Sequence, residues 1–225
     1  MAKYKWIFFD VGNTLLFPNR RRILAPLAPD KHPSLNAWQA LERRTKQEFD
    51  QGVLSGKVDH GFWWTFYTNL LQDLGSLDEN TRNRLVQNTQ QSANWDQILP
   101  GTRESLDRIR QNFSTAVISN SDGKIDVVLG RCGIGDCFSS VTDSGNVGHE
   151  KPHPAIFTAA LERMKADPAQ SLYVGDVYSV DYVGARNMGM DAVMFDLAGA
   201  YRDRELPRVE TLAGLEKWLK TEELR

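Results

Sequence analysis

Several polar residues of this 225-residue chain stand where short apolar runs end. Asp10, Ser119 and Asp176 each follow such a run directly. A carboxylate in this position can act as a nucleophile when the electrophile is held close and charge is neutralised nearby. Asp10 is our candidate nucleophile, and the other two residues are candidates for the surrounding site.

The acidic residues of this set also predict a cation. Two unit charges about 4 Å apart repel by about 4 kcal/mol at an effective dielectric constant of 20. Asp10, Asp176 and Asp181 gathered in one crevice would repel one another in this way. Because Mg²⁺ prefers carboxylate oxygens together with a substrate phosphate, a magnesium site is expected here.

The elements that must position these residues follow from the apolar pattern. Short apolar runs without alternation are typical of strands buried on both faces of a parallel sheet. Helical periods separate them, one opening near Pro100, one with Pro154 in its first turn, and one from Asp181 to Asn187 closed by Gly189. The alternation predicts an α/β fold with a doubly wound parallel sheet, which binds ligands beyond the carboxyl ends of its strands. The expected strands are residues 4–9, 114–118, 138–141, 172–175 and 192–195.

Residues 17–97 interrupt this alternation and contain no convincing strand. We expect a helix capped by Ser34 or Asn36 and ended by Gly52. Further helices are expected from Asp59 to Gly75 and from Asp78 to about Ser92. The prediction is a core of residues 1–16 and 98–225, with a small helical domain of residues 17–97 inserted after the first strand.

Four segments carry a family resemblance. They are Phe9-Asp10-Val11-Gly12-Asn13-Thr14-Leu15, Val117-Ile118-Ser119-Asn120-Ser121, Glu150-Lys151-Pro152, and Val174-Gly175-Asp176 followed by Asp181. In order and spacing they resemble the signature motifs of the haloacid dehalogenase-like hydrolases. The resemblance covers residues 3–16 and 98–197, and the region between looks like the helical cap of many members.

The resemblance implies a mechanism and a set of roles. Asp10 would attack phosphorus and form an aspartyl-phosphate that water hydrolyses. The metal would be held by Asp10, the backbone carbonyl of Gly12 and Asp176. The remaining motif residues would act on the phosphoryl group or its surroundings: Lys151 and Ser119 would hold its oxygens, Asn120 would add a donor, and Asp181 would orient water or Lys151.

One position departs from the family pattern. Phosphatases of the family carry a second aspartate as general acid and base where this chain has Gly12. Such a group contributes typically 10²–10⁴-fold, roughly 3–5 kcal/mol of barrier. Its loss favours leaving groups that need no proton, such as aryl and acyl phosphates, halides and stabilised carbanions. Asn13 replaces the usual glycine, a smaller departure because asparagine tolerates positive φ.

Three functions therefore remain open. The leading one is an enzyme, a Mg²⁺-dependent phosphate-ester hydrolase. The second keeps Asp10 as nucleophile in a dehalogenase-like or phosphonatase-like hydrolase, with Lys46 or Lys57 forming a Schiff base in the phosphonatase case. The third is a degenerate member that binds a phosphometabolite or a protein without turnover.

Composition limits the partners. With 27 Lys+Arg, 29 Asp+Glu and a net charge of −2, the chain lacks the basic excess of a nucleic-acid binder. No apolar run approaches the ~20 residues of a membrane helix, and no signal peptide is expected at the start. We expect a cytoplasmic protein with reduced Cys132 and Cys137. Its partner would be a small phosphorylated or otherwise activated substrate, and it would be a monomer or a dimer.

Two further groups of side chains are expected to be structural. Aromatic residues at helical spacing usually form core, and this is our prediction for the tryptophans of the inserted region. Arg20, Arg21 and Arg22 are interpreted as a solvated hinge. The tryptophans concerned are Trp38, Trp63, Trp64 and Trp95.

Overall fold

The fold is built on one six-stranded parallel sheet. The computed structural model describes residues 3–57 and 60–223. The strand order is β3-β2-β1-β4-β5-β6, and every neighbouring pair is parallel. This is the order of a doubly wound sheet, so the predicted fold class is confirmed. The strands are β1 (Trp6–Phe9), β2 (Ser114–Ser119), β3 (Ser140–Asp143), β4 (Ser171–Gly175), β5 (Asp191–Phe195) and β6 (Arg208–Val209).

Burial on both faces explains the continuous apolar runs. Ile7 and Phe9 of β1 belong to one apolar cluster, which is completed by helices α5, α6 and α10. Phe8 points to the opposite face and joins a second cluster with α8 and α9. Neither face of the central strands meets water, so polar alternation is absent. The helices of the described residues are α1 (Arg20–Ile23), α2 (Leu35–Leu54), α3 (Phe62–Asp73), α4 (Glu79–Gln90), α5 (Thr102–Ile109), α6 (Ile125–Arg131), α7 (Ser144–Val147), α8 (Pro154–Met164), α9 (Val183–Asn187) and α10 (Leu212–Glu223).

Several core boundaries differ from the sequence predictions. Strand β3 begins two residues later than expected, because Gly135–Cys137 forms a 3₁₀ turn that delays entry into the sheet. The helix predicted from Asp181 to Asn187 is present and ends at Asn187 as α9, but it begins earlier, with a π-helical turn over Tyr178–Tyr182. Strand β6 and helices α1, α6 and α7 were not anticipated, because they are too short to show a clear period. Helix α10 was not anticipated either, although Leu212, Leu215 and Leu219 recur at helical spacing.

The helices α1–α4, called the helical insertion below, lie between β1 and α5. They share an apolar cluster that includes Trp38, Phe66 and Leu85. The Ser34 hydroxyl accepts a hydrogen bond from the Ala37 amide and caps α2, as predicted. The helix continues past Gly52 to Leu54, since one internal glycine costs only about 1 kcal/mol.

The other two predicted helices of the insertion are present. Gly61 precedes α3, and Asp59, the expected cap, lies outside the described residues. Asp78 caps α4 through the Thr81 amide, which confirms the expected start of that helix.

Polar contacts connect α2 to the loop after β5. Arg43 and Gln47 donate to the carbonyl oxygens of Ala198 and Ala200, at 2.9 and 3.0 Å. One turn later, buried Asp50 lies on the same face of the helix. The chain crosses between the two parts at Phe17 and Gln97, whose backbones pair.

Two smaller sequence predictions can be compared with the structure. Cys132 and Cys137 are both free thiols. No helix within residues 3–57 and 60–223 has the length and apolar character needed to cross a membrane.

Candidate active site

The candidate site lies at the carboxyl edge of the three central strands. Asp10 follows β1, Asp176 follows β4, and Ser119 ends β2. Strand β1 pairs with both of the others, with Phe9 beside Val117 and Val174. The chain reverses its winding direction at β1, and this switch point is where doubly wound sheets bind ligands.

Lys151 lies at the centre of the site. Its Nζ donates to Asp10 Oδ1 at 2.6 Å, to Asp181 Oδ1 at 2.8 Å and to the Tyr173 hydroxyl at 2.7 Å. Burial alone would lower the pKa of Lys151, but the carboxylates of Asp10 and Asp181 outweigh it and hold that pKa above its usual range. The side chain is therefore a fixed cation beside Asp10.

Asp181 acts through its neighbours. Its Oδ1 accepts from Lys151 and from Tyr173, while its Oδ2 accepts the backbone N–H groups of Asp176 and Val177 at 3.1 and 2.9 Å. Both oxygens are thus engaged, which suits a positioning residue better than a metal ligand. It is not the N-cap of α9, because its acceptor bonds go back to the loop after β4.

Asn120 braces the same lysine. Its amide donates to the Lys151 carbonyl at 3.0 Å, and its carbonyl oxygen accepts from the Lys151 backbone N–H at 2.7 Å. This reciprocal pair holds the loop after β3 against the end of β2. Ser119, 3% exposed, lies beside Asn120 and lines the same cavity as Asp10.

A second lysine reaches the acidic cluster from the helical insertion. Lys46 of α2 is 1% exposed, and its Nζ lies 2.8 Å from Asp176 Oδ2 and 2.7 Å from Glu42 Oε1. Burial lowers the pKa of Lys46, but Asp176 and Glu42 oppose this and raise it well above the usual value. A Schiff-base lysine needs a depressed pKa, so the geometry gives no support to that role for Lys46.

The donor set fits a divalent cation. One carboxylate oxygen from each of Asp10, Asp176 and Asp181 lies within 4.8 Å of the others. With Glu42, four carboxyl groups surround the two lysine ammonium groups, and they exceed them by two charges when all four are ionised. All these atoms are oxygens, as Mg²⁺ prefers. Asp10 and Asp176 are the candidate ligands of the three, because both oxygens of Asp181 already accept hydrogen bonds.

Burial raises the pKa of two of these carboxyl groups. It raises the pKa of Asp10 to about 6, although the Lys151 ammonium opposes the shift. It raises the pKa of Asp176 to about 7 against the opposing effect of Lys46. Both groups are buried charges that two lysines only partly compensate, which is the electrostatic setting that favours a bound cation.

Gly12 faces an aromatic ring where a phosphatase of the resembled family has its second aspartate. A Cβ atom built on Gly12 would lie 3.3 Å from Cζ3 of Trp95. The Trp95 side chain is 7% exposed, and its Nε1 donates to the Thr89 carbonyl at 2.8 Å. The next residue, Asn13, has φ of 54°, the left-handed conformation expected from its residue type.

A cavity of about 630 Å³ joins these groups to the helical insertion. Its floor includes Asp10, Ser119, Lys151 and Asp176. Its opposite wall is largely apolar and aromatic. That wall includes Phe49, Val53, Phe62, Trp63, Trp64, Val86 and Trp95.

Comparison with known proteins identifies the family. The model of the family described as haloacid dehalogenase-like hydrolase matches residues 4–189. The chain belongs to the haloacid dehalogenase-like hydrolases. It is 33% identical over 139 residues to haloacid dehalogenase-like hydrolase domain-containing protein 3 of Xenopus laevis, covering 59% of this chain and 56% of that one. It is 28% identical over 196 residues to the pyrimidine 5'-nucleotidase YjjG of Escherichia coli, covering 84% of each.

A solved structure shares the fold. The magnesium-bound HAD-hydrolase YfnB of Bacillus subtilis superposes with a TM-score of 0.70 at 20% identity, over 96% of this chain and 99% of that one. The matched region spans 56%, 64% and 62% of the first three curated relatives.

Two residues of the candidate site differ from what the sequence indicates. Tyr173 lies inside β4, where a tyrosine ordinarily packs in the apolar core. No local pattern indicates its hydrogen bond to Lys151. Lys46 was considered only as an amine nucleophile, and its helical position favours a solvated lysine. One signal was present: Glu42 and Lys46 are spaced i, i+4 on one helix face.

The structural expectations for the tryptophans are half confirmed. Trp38 packs in the core of the insertion, with its ring 4.8 Å from that of Phe66. Trp95 is buried in the main apolar cluster of the sheet, and Trp63 packs against both that cluster and the cluster of the insertion. Trp63, Trp64 and Trp95 also line the cavity, which the sequence prediction did not include. Periodicity shows that a side chain faces inward, but it does not distinguish a core from a cavity.

The arginine cluster stays away from the cavity. Arg20 stacks on Trp38 and bonds the Pro33 carbonyl, while Arg22 pairs with Asp96. Arg21 is exposed. These contacts fit the expected structural role at the junction between the insertion and the core.

Proposed function

We propose that this hydrolase cleaves phosphate esters with a divalent cation, through an aspartyl-phosphate on Asp10. The observation that carries the proposal is the Asp10 carboxylate at the end of β1, 2.6 Å from the Lys151 ammonium in a cluster with two excess negative charges when its four carboxyl groups are ionised. A nucleophilic carboxylate needs an adjacent cation to accept a phosphoryl dianion. YjjG, a nucleotidase, supports the same reaction class.

The residues of the site have separate roles in the proposed reaction. Asp10 forms the bond to phosphorus, while Lys151 and the Ser119 hydroxyl bind the phosphoryl oxygens. Asp181 and Asn120 position Lys151 through its ammonium group and its backbone. Because Lys151 is held from three directions, little reorganisation is needed when charge develops on the phosphoryl group.

Asp10, Asp176 and the Gly12 carbonyl would hold the cation. When bound, it would neutralise charge on the phosphoryl oxygens and screen the nucleophile from them. The magnesium-bound relative YfnB supports this assignment.

We also propose that residues 17–97 act as a cap domain on a core of residues 1–16 and 98–225. The insertion has its own apolar cluster. It also provides the wall of the cavity that faces Asp10. Closure of such a cap over bound substrate would exclude water from the phosphoryl site.

The test compares wild type with Asp10→Asn on an aryl phosphate, with MgCl₂ and then with EDTA. The variant keeps the shape of the side chain but loses its nucleophilicity, so we expect turnover to fall at least about 10³-fold. EDTA should abolish wild-type turnover. Asp122→Asn is the matched control, because Asp122 lines the same cavity from an exposed position and its substitution should change the rate less than about threefold.

Single turnover in H₂¹⁸O separates the proposal from the dehalogenase alternative. Water that attacks an aspartyl-phosphate at phosphorus leaves its label in phosphate. Water that attacks a carbon ester of Asp10 at its carbonyl leaves the label in the protein. Label in Asp10, or halide release without a metal, would contradict the phosphatase assignment.

A further inference from the structure

The cavity opposite Asp10 has the chemistry of a binding site for an aromatic group. Trp63 is its central wall residue, with ring contacts to Phe62 at 5.0 Å and Trp95 at 5.4 Å between centroids. All three residues line the cavity. A substrate whose phosphoryl group lies beside Asp10 would place the rest of the molecule against these rings.

The wall provides little positive charge. Among the cavity-lining residues that the structure describes, Lys151 is the only lysine or arginine, and it lies on the floor. His60 also lines the cavity, with its ring 4.6 Å from that of Trp64. The Arg82 guanidinium stacks on the Trp64 ring at 3.5 Å, but Arg82 does not itself line the cavity. A leaving group with a second phosphate or a carboxylate would be desolvated here without a cationic partner, which is costly.

The ring of Trp95 adds a chemical restriction. It covers Gly12 at the position where an aspartate side chain would begin. The hydrogen bond to Thr89 and the contact with Trp63 hold the indole in this place. A leaving group bound beside Gly12 meets the indole ring and not a carboxylic acid, which favours a group that departs as a stable anion.

We propose that the substrates are phosphate monoesters of uncharged aromatic alcohols, with the aromatic ring bound against Trp63 and Trp95. The inference rests on the proposed function, and it specifies the alcohol that the ester releases. An Asp10 oxygen bonds to phosphorus, and the aryl oxygen leaves with the electron pair and takes a proton from water. A second water then attacks phosphorus, releases inorganic phosphate and a proton, and restores the Asp10 carboxylate.

The test separates ring recognition from leaving-group acidity. Wild-type kcat/KM is compared for phenyl phosphate and hexafluoroisopropyl phosphate, whose leaving groups have similar acidity but only one of which is aromatic. We expect at least a tenfold preference for the phenyl ester. Equal values would overturn the proposal while leaving the phosphatase assignment intact.

Variants test whether Trp63 causes the preference for the phenyl ester. Trp63→Leu should reduce the phenyl preference at least fivefold, and Trp63→Phe should keep most of it. Trp6→Leu, the same substitution at the opposite end of β1, should leave the ratio unchanged. An unchanged ratio in Trp63→Leu would contradict the assignment of this wall as the aromatic site.

A binding measurement makes the inference independent of turnover. Phenylphosphonate and propylphosphonate cannot be hydrolysed, and their affinities for wild type can be measured by calorimetry with MgCl₂ present. We expect tighter binding of the phenyl compound, at least fivefold, and loss of that difference in Trp63→Leu. If no phosphate ester is hydrolysed, the proposed function fails, while this comparison still supports or overturns the aromatic site.

Discussion

At the scale of single residues, Gly12 and Trp95 form one structural unit. The Trp95 indole fills the space beside the Gly12 backbone, and its Nε1 donates a hydrogen bond to the Thr89 carbonyl. Replacing Gly12 by the aspartate of related phosphatases therefore does not simply add a missing acid. The new Cβ atom would lie 3.3 Å from the buried ring, so the indole must shift by a few tenths of an ångström.

We predict that Gly12→Asp destabilises the protein by about 1–3 kcal/mol, as overpacking does. Trp95→Leu in the same chain should relieve part of this cost. A double-mutant cycle by urea unfolding should therefore give a coupling of about 1 kcal/mol or more. Additive effects would contradict the contact.

Gly61→Asp is the matched control for this substitution. A Cβ built on Gly61 meets nothing within 4 Å, and the residue occupies the N-cap position of α3. Aspartate is a preferred residue at that position, so no loss of stability is expected.

At the scale of elements, helix α2 carries the polar contacts that connect the insertion to the core. Asp50 of α2 is fully buried, accepting the Ser179 backbone N–H at 2.8 Å and the Tyr201 hydroxyl at 2.9 Å. Burial raises the pKa of Asp50, and the Ser179 and Tyr201 donors oppose that shift. Asp50 is therefore the buried member of the polar helix face that binds the core, and we call it the anchor of α2.

We predict that Asp50→Ala lowers the free energy of unfolding by about 1–3 kcal/mol, because it leaves a buried N–H and a hydroxyl without their acceptor. Urea unfolding followed by tryptophan fluorescence measures the change. Asp73→Ala removes an exposed pair with Arg44 and should cost at most about 1 kcal/mol. Equal losses in the two variants would argue against Asp50 as the anchor.

At the scale of the whole molecule, the acidic cluster is assembled from both parts of the chain. The core supplies Asp10, Asp176, Asp181 and Lys151, and the insertion supplies Glu42 and Lys46. Lys46 and a metal ion would both act on Asp176. Their positive charges repel across a few ångströms, so docking of α2 and metal binding are electrostatically coupled.

We predict that Lys46→Met binds Mg²⁺ about tenfold or more tightly than wild type by calorimetry, because one neighbouring positive charge is removed. Asp176→Asn should lose the binding. Lys57→Met, at an exposed lysine of the insertion, is the control and should match wild type. Equal or weaker binding in Lys46→Met would contradict the coupling.

The sequence by itself determined the fold class and the motif residues of the site. Apolar runs buried on both faces require a parallel sheet, and parallel strands end at one edge, so Asp10, Ser119 and Asp176 had to meet there. Helices α2, α3 and α4 of the insertion were also predictable, since capping residues and periodicity are local signals. The ends of β3 and α2 were not, because tertiary packing can override a weak local preference.

Only the tertiary structure decided which distant side chains complete the site. Tyr173 contacts Lys151, Lys46 contacts Asp176, and Trp95 covers Gly12. Local patterns report backbone period and burial, but they carry no information on which element packs against which at the distance of a hydrogen bond. The role of Tyr173 arises from a contact within the core, and the roles of Lys46 and Trp95 arise where the insertion packs against that core.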